Sequence, residues 1–282
     1  MRVMVTGAGG MLGSDIVAAA AARDDECFGL TRAELDVTDG AAVAATVKEI
    51  GPEVIINCAA WTAVDGAEQD EVAAFAVNAH GAGNVARAAV SAGARVVQIS
   101  SDYVFDGTAT VPYLESDRTA PQTAYGRTKL AGEHAVLATS TVHAVVRGSW
   151  LFGVNGRNFV ATMLEQADAG RREIAVVTDQ VGCPTFTGHL AIRVLDLAQS
   201  GRGGVFHAAA AGWCSWNEFA REIFAAAGVD VAVTETTSAE LARPAQRPAW
   251  SVLGTERSGE FLPSWRDGLA AYMALARNGS TR

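Results

Sequence analysis

The sequence predicts an α/β protein built on a doubly wound parallel sheet, with a smaller α/β domain after it. Three observations predict this. Short, almost wholly apolar runs alternate with helical segments through the first 150 residues, the pattern of parallel strands buried on both faces. A glycine-rich turn, "TGAGGMLG", directly follows the first of those runs. After about Trp150 the texture changes, and proline and tryptophan become commoner. The expected division is 1–150 and 151–282. The boundary is soft, because a second domain of this kind often returns a strand or helix to the first.

The elements follow in order. "RVMVTG" is a short apolar run ending in glycine and reads as a buried strand. "GSDIVAAAAARDDE" reads as a helix, "CFGLT" as a second strand and "EVIINCAA" as a third. "DEVAAFAVNAHGAGNVARAAVSAG" reads as helical and "ARVVQISS" as a fourth strand. A helix from about Thr123 to Leu137 precedes the strand "VHAVVRGS". In the second half "NFVATMLEQADAG", "GHLAIRVLDLAQS" and "CSWNEFAREIFAAAG" read as helices, separated by the apolar runs "EIAVV" and "GVFHAA". "LARPAQRPAWSVLG" reads as an irregular loop and "PSWRDGLAAYMALAR" as a final helix.

Composition bounds the function. The chain has 282 residues, 49% hydrophobic and 19% charged, enough for a sizeable core. The net charge is −9, and no basic cluster exceeds Arg171-Arg172, which argues against nucleic acid. Cys27, Cys58, Cys183 and Cys214 have no CxxC spacing, so buried free thiols in a reducing compartment are expected. The N-terminus lacks a signal-peptide pattern, and no run of about 18 apolar residues occurs. A cytoplasmic enzyme with no membrane partner is the expectation.

The glycine turn places Gly7, Gly10 and Gly13 three residues apart, a variant of the G-x-G-x-x-G dinucleotide pattern. The first glycine permits a tight turn, the second lets backbone approach a pyrophosphate, and the third lets helix pack on strand. The helix then opens at Met11 and Leu12, whose N–H groups face the anion. This makes the first region a Rossmann-type dinucleotide-binding domain and leaves the second mainly for substrate. At the end of the second strand Thr31 and Arg32 stand where an NAD enzyme usually has an acidic residue. NADPH is therefore the expected cofactor, with NADH as the alternative.

Of the 22 Lys plus Arg, only Lys48 and Lys129 are lysines. Lys129 lies four residues after Tyr125, on one helical face. A tyrosine with an ordinary pKa of about 10 is a poor acid at neutral pH, and a nearby ammonium lowers it. A compact ammonium can also donate to ribose hydroxyls, which a forked guanidinium does less well. Ser101 ends the fourth strand, at the edge where open α/β sheets bind ligands.

These residues together resemble the extended short-chain dehydrogenase/reductase family. More narrowly, "NCAAWTAVDGAE", "SSDYVFDG", "AYGRTKLAGE" and "DQVGCPT" resemble the dTDP-4-dehydrorhamnose reductase family. The resemblance implies hydride transfer from a nicotinamide to the 4-keto group of a dTDP-4-keto-6-deoxy sugar. It implies Ser101, Tyr125 and Lys129 as catalytic residues, and Thr62, Val64, Tyr103 and Trp150 as substrate contacts. It places Asp36 and Val37 on the adenine side and Ala59 and Ala60 beside the cofactor. This sequence departs from the family at Ser101 (usually Thr), at Trp61 and in "GSWLFG". Some relatives dimerise around Mg²⁺ held by glutamates. Those glutamates have no match here, and His189 falls near one such position, so a metal-linked dimer is not expected, and Mg²⁺ stays open as the alternative. A homodimer is compatible with the resemblance.

Other residues carry weaker signals. Trp213 and Trp216 flank Cys214 and suit a core or hinge role. Arg147, Arg157 and Arg247 are candidates for diphosphate contacts. His80, His134, His143, His189 and His207 have no metal or triad spacing. Two other functions remain open: another sugar-nucleotide reductase or epimerase, and an NADP-binding regulatory subunit of the methionine adenosyltransferase type.

Overall fold

The computed structural model describes residues 1–257 and 261–279. Residues 280–282, the end of the expected second region, lie outside the described residues. The main sheet begins with β1 (Arg2–Thr6), β2 (Glu26–Leu30), β3 (Val54–Asn57), β4 (Arg95–Ser101) and β5 (Ala144–Gly148). A sixth strand, Gly204–His207, comes from the second half of the chain and pairs with β5. The spatial order from that strand is β5, β4, β3, β1, β2, and every pairing is parallel. The chain reverses its direction of travel between β1 and β3. Ligands bind in this fold outside the strand ends at such a point.

Alternation along the strands builds the two faces. Val3 and Val5 point to one side and pack with Leu12, Ile16, Leu190, Val194 and Leu195. Met4, Ile55 and Val96 point to the other and pack with Val43, Val47, Val85 and Val136. The helix Thr187–Ser200, which carries Leu190 to Leu195, therefore covers the first sheet although it lies beyond residue 150. A separate core gathers Phe152, Val160, Met163, Ile174, Phe219, Ile223, Trp265 and Leu269.

Most elements form where the pattern places them. The helix expected from about Thr123 runs Ala124–Leu137, with the Thr123 side chain accepting from Gly126 N–H at 3.0 Å. Three differences matter. The region from 71 to 91 is broken by a π-helical segment, Ala76–Gly81, between the helices Glu71–Phe75 and Ala82–Ser91. The strand Ala232–Thr236, which the sequence does not signal, pairs with Glu173–Val177. The expected loop at 241–254 is preceded by a short helix, Ser238–Leu241. Among the described residues no helix is long and apolar enough to cross a membrane.

Candidate active site

The glycine turn lies where the switch in strand order opens a crevice. Gly7 adopts φ +68°, and a Cβ there would stand 2.7 Å from the Ala59 nitrogen. A Cβ on Gly13 would stand 2.3 Å from the Gly7 oxygen. Both positions exclude any larger residue. Gly10 is the N-cap of the helix Met11–Ala21 and supplies no side-chain acceptor, and the first turn carries no acidic residue. The helix start therefore presents backbone N–H groups and positive dipole to whatever lies before it, which fits a dinucleotide pyrophosphate. Ala59, expected beside the cofactor, abuts Gly7, with Ala60 next in the chain. A buried polar row supports this edge: Thr6 Oγ1 donates to Asn57 Oδ1 at 2.5 Å, and Asn57 Nδ2 donates to Gln98 Oε1 at 2.7 Å.

At the end of β2, Arg32 is exposed, and Thr31 is held by Glu34, whose carboxylate accepts from both the Thr31 N–H and hydroxyl. Asp36 accepts from the Thr38 N–H and hydroxyl, and Val37 is buried. Glu34 is a residue that sequence reasoning passed over. Its signal is the Thr-x-x-Glu spacing of a capping box.

Tyr125 and Lys129 lie on the helix Ala124–Leu137, which two glycines draw close to its neighbours. A Cβ on Gly126 would be 2.2 Å from the Tyr103 carbonyl oxygen, and one on Gly132 would be 2.1 Å from that of Asn78. Asn78, on the π-helical segment, ties the region together. It accepts from Trp61 N–H, donates to the Trp61 carbonyl and donates to Thr128 on the Tyr125 helix. Trp61, one of the departures from the family, packs in the same small apolar cluster as Tyr125.

The structure brings Ser101, Tyr103, Tyr125 and Lys129 together at the C-terminal end of β4. The Tyr103 and Tyr125 rings meet edge to face, 5.4 Å between centroids. Burial pushes the Tyr125 phenol up to about 12, and the Ser101 hydroxyl lying against it opposes that rise. Lys129 is buried and donates to the Ile99 carbonyl at 2.7 Å. Burial brings its ammonium down to about 8, while Glu133 and Cys58 act the other way. This corrects one expectation: Lys129 does not lower the Tyr125 phenol here. Desolvation dominates both groups.

Asp102 was missed from sequence. Its buried carboxylate accepts from the Ser101 hydroxyl at 2.8 Å and from the Ser149 hydroxyl at 2.9 Å, and burial raises its pKa against those bonds. Arg147, a candidate for diphosphate, is instead buried and bidentate to Glu133, at 2.9 and 2.7 Å. That pair is closed by Ser100 and lies beside His207. Arg157 is exposed, and Arg247 is bidentate to Asp65, both bonds at 2.8 Å. Thr62 is exposed, and Val64 begins the short helix Val64–Gln69.

Trp150 follows β5 with φ +48°, a left-handed conformation that costs a non-glycine residue roughly 1–3 kcal/mol. Its indole stacks on Trp216, 3.6 Å between centroids and 3° from parallel. A Cβ on Gly182 would lie 2.3 Å from Trp150 Cε2, 2.5 Å from Nε1 and 2.8 Å from Cζ2. The nearest of the three is the atom between the other two, so Gly182 lies over the ring rather than beside it. With Trp216 on one face, Gly182 covers the other. Trp150, expected as a substrate contact, therefore has both ring faces covered, and an edge is what remains to meet a ligand.

Among the described residues no group of three or more His, Cys, Asp or Glu side chains is placed to hold a metal. All four cysteines are unpaired.

A doubly wound parallel sheet, an uncapped helix after a glycine turn and a clustered Ser–Tyr–Lys set define a dinucleotide-binding protein of the extended short-chain dehydrogenase/reductase class. The family model described as the RmlD substrate binding domain matches residues 1–278, and the chain belongs to that family. It is 45% identical over 279 residues to a dTDP-4-dehydrorhamnose reductase of Streptomyces griseus, covering 95% of this chain and 91% of that protein. It is 44% identical over 276 residues to a "probable dTDP-4,6-dihydroxy-2-methyloxan-3-one 4-ketoreductase" of Streptomyces antibioticus, covering 95% and 92%. The crystal structure of dTDP-4-dehydrorhamnose reductase from Bacillus anthracis in complex with NADP superposes with a TM-score of 0.94 at 37% identity, covering 97% of this chain and 98% of that one.

Proposed function

We propose that this chain is an NADPH-dependent reductase of a dTDP-4-keto-6-deoxy sugar, reducing dTDP-6-deoxy-L-lyxo-4-hexulose to dTDP-L-rhamnose. The observation that carries the reading is Tyr125: a half-buried tyrosine whose phenol lies against Ser101, at the strand edge that the glycine turn also faces. Family membership and the NADP complex of the Bacillus anthracis relative support it.

In this reading Gly7, Gly10, Met11, Leu12 and Gly13 hold the pyrophosphate. Thr31 and Arg32 lie toward the 2′-phosphate, Asp36 and Val37 toward adenine, and Ala59 and Ala60 along the crevice. Lys129 and Tyr125 meet the nicotinamide ribose. When bound, the nicotinamide supplies a hydride. Tyr125 is protonated at neutral pH and delivers its proton to the carbonyl oxygen at C4, with the Ser101 hydroxyl opposing the rise that burial imposes on the phenol. Ser101 lies against the phenol, and the compact Lys129 ammonium is placed to donate to the ribose hydroxyls. Thr62, Val64, Tyr103 and the edge of Trp150 bound the sugar. Residues 1–150, with the returning segment 187–207, serve the cofactor, and the rest of 151–282 serves the substrate. In this reading the protein works in the cytoplasm on a dTDP-linked sugar, without nucleic acid or membrane, and a homodimer is compatible with it.

The test is oxidation of NADPH with a panel of 4-keto sugar nucleotides, with the product identified by NMR. Formation of dTDP-L-rhamnose is expected. A second reading, reduction of a different dTDP-keto-deoxysugar, is favoured by the Streptomyces antibioticus relative's name and by the Trp61 departure beside Tyr125. A C4 epimer or a different reduced sugar would select it. Absence of any reduction would sink both.

A further inference from the structure

The stack of Trp216 on Trp150 joins the second core to the proposed sugar pocket, and every support around it comes from the second half of the chain. Trp216 is the first residue of the helix Trp216–Ala227. Ser215 caps that helix in a reciprocal box with Glu218, which fixes the backbone from which the indole projects. Trp216 Nε1 donates to Gln180 Oε1 at 3.1 Å, and Gln180 Nε2 donates on to Ser238 at 2.8 Å. Phe159 lies against Trp216 with 4.5 Å between centroids. The indole is thus held by its backbone, its polar tip and its flank.

Trp150 has less support of its own. It follows the strand that pairs with β4, where Gly148 is the register partner of Ser101. Its backbone is left-handed, and its carbonyl accepts from Thr185 N–H at 3.1 Å. Its ring makes no hydrogen bond with any described residue. Trp216 and the Gly182 backbone bracket that ring and set its plane. Neighbouring Ser149 is tied to Asp102, so a rotation of Trp150 would occur one residue from the carboxylate that holds Ser101.

We infer that Trp216 is a positioning residue for the sugar: it holds Trp150 between itself and Gly182 so that only the indole's polar edge, with its Nε1–H, is presented to the sugar's oxygens. This deepens the reductase reading and rests on it. A sugar ring offers hydroxyl and ring oxygens as acceptors, and an N–H fixed in direction selects among ring orientations. An indole face free to stack would tolerate several. The pair thereby fixes which face of C4 is presented for reduction, and Trp216 sets it without touching the reacting atoms.

The experiment compares Trp216→Ala, Trp216→Phe, Trp150→Ala and the double variant Trp150→Ala/Trp216→Ala. It measures kcat and KM with the dTDP-4-keto sugar, NADPH affinity by fluorescence, C4 epimer content by NMR, and near-ultraviolet circular dichroism for the couplet of stacked indoles. Trp216→Ala is expected to lower kcat/KM by on the order of 10-fold to 100-fold, as for a misplaced contact remote from the chemistry. It should introduce the second epimer, abolish the couplet and leave NADPH affinity unchanged. Trp216→Phe, which retains a ring to stack, should recover most of the activity. The double variant should fall no further than Trp150→Ala alone, because the two residues act as a unit. Full activity and a single epimer in Trp216→Ala would overturn the inference. So would additive losses, or a fall in NADPH affinity matching the fall in kcat/KM. An inactive wild-type protein would instead sink the reductase reading itself.

Discussion

The Ser101 hydroxyl donates to Asp102 Oδ1 at 2.8 Å and accepts from Tyr103 N–H at 3.2 Å, and it lies against the Tyr125 phenol, whose rise in pKa it opposes. Asp102 thereby fixes the position of the hydroxyl that lies beside Tyr125. The Asp102 carboxylate is shared with Ser149, and one of the two serines loses its acceptor oxygen if the group becomes an amide. Asp102→Asn is expected to destabilise the fold by about 1–3 kcal/mol, the cost of leaving a buried hydroxyl unpaired. It should lower kcat on the order of tenfold with NADPH affinity intact. Thermal unfolding and steady-state kinetics check this. Unchanged values of both would show that the carboxylate does not organise Ser101.

Tyr125→Phe removes the proton but keeps the ring that packs edge to face on Tyr103. Turnover should fall by about 10²–10⁴-fold, the usual worth of a positioned general acid. NADPH affinity and melting temperature should stay near wild type. A variant retaining more than about a tenth of wild-type activity would remove Tyr125 from the proton-donor role.

What the sequence displayed, and what it hid, divides by range. Gly7, Gly10 and Gly13 and the Tyr125–Lys129 pair are local patterns with fixed spacing, and they came with the strand and helix that give them meaning. The helix carrying Tyr125 was legible because its cap, Thr123, and its close-packing glycines are within the same stretch. Asp102 was not legible, because its significance depends on Ser149 arriving from β5. Arg147 looked like a free cation in "VVRGS" and is instead neutralised across the helix–sheet interface by Glu133. Trp150, Gly182 and Trp216 are far apart in sequence and meet only through tertiary packing. The strand Ala232–Thr236 shows no buried run, since only Val233 in it is buried.

Lys129 gives a pH dependence with a definite sign. Its folded pKa is about 8 against an ordinary 10.5, with burial the first cause. Between those values the unfolded chain binds a proton that the folded chain has released, so stability rises with pH through that window. Below about pH 8 the buried ammonium costs about 3 kcal/mol relative to its high-pH state, at 1.36 kcal/mol per unit. Lys129→Met should accordingly unfold at a higher temperature than wild type at pH 7, while losing turnover. The advantage should shrink as pH climbs toward 10.5. Urea unfolding of both proteins at pH 7, 8, 9 and 10 measures the gap. A gap that is constant with pH would mean that Lys129 titrates normally.

The last prediction concerns cofactor choice at the end of β2. Arg32 is exposed and carries no hydrogen bond or ion pair among the described residues, so its guanidinium is available for a 2′-phosphate. Glu34, which might have engaged it, is occupied instead by the Thr31 N–H and hydroxyl at 2.8 and 2.7 Å. The end of β2 therefore carries both a cation suited to a phosphate and a carboxylate suited to a hydroxyl. Arg32→Ala should weaken NADPH by on the order of tenfold, in line with about 1.5–3 kcal/mol for a hydrogen bond to a charged group partly offset by solvent exposure. NADH should change little. Glu34→Gln should shift preference the other way, weakening NADH more than NADPH. Fluorescence titration of both cofactors against the three proteins, repeated at low and high salt, separates the effects. The Arg32 contribution should fade at high salt, because an exposed pair is screened. Equal weakening of both cofactors by Arg32→Ala, or none of either, would show that Arg32 does not read the 2′-phosphate.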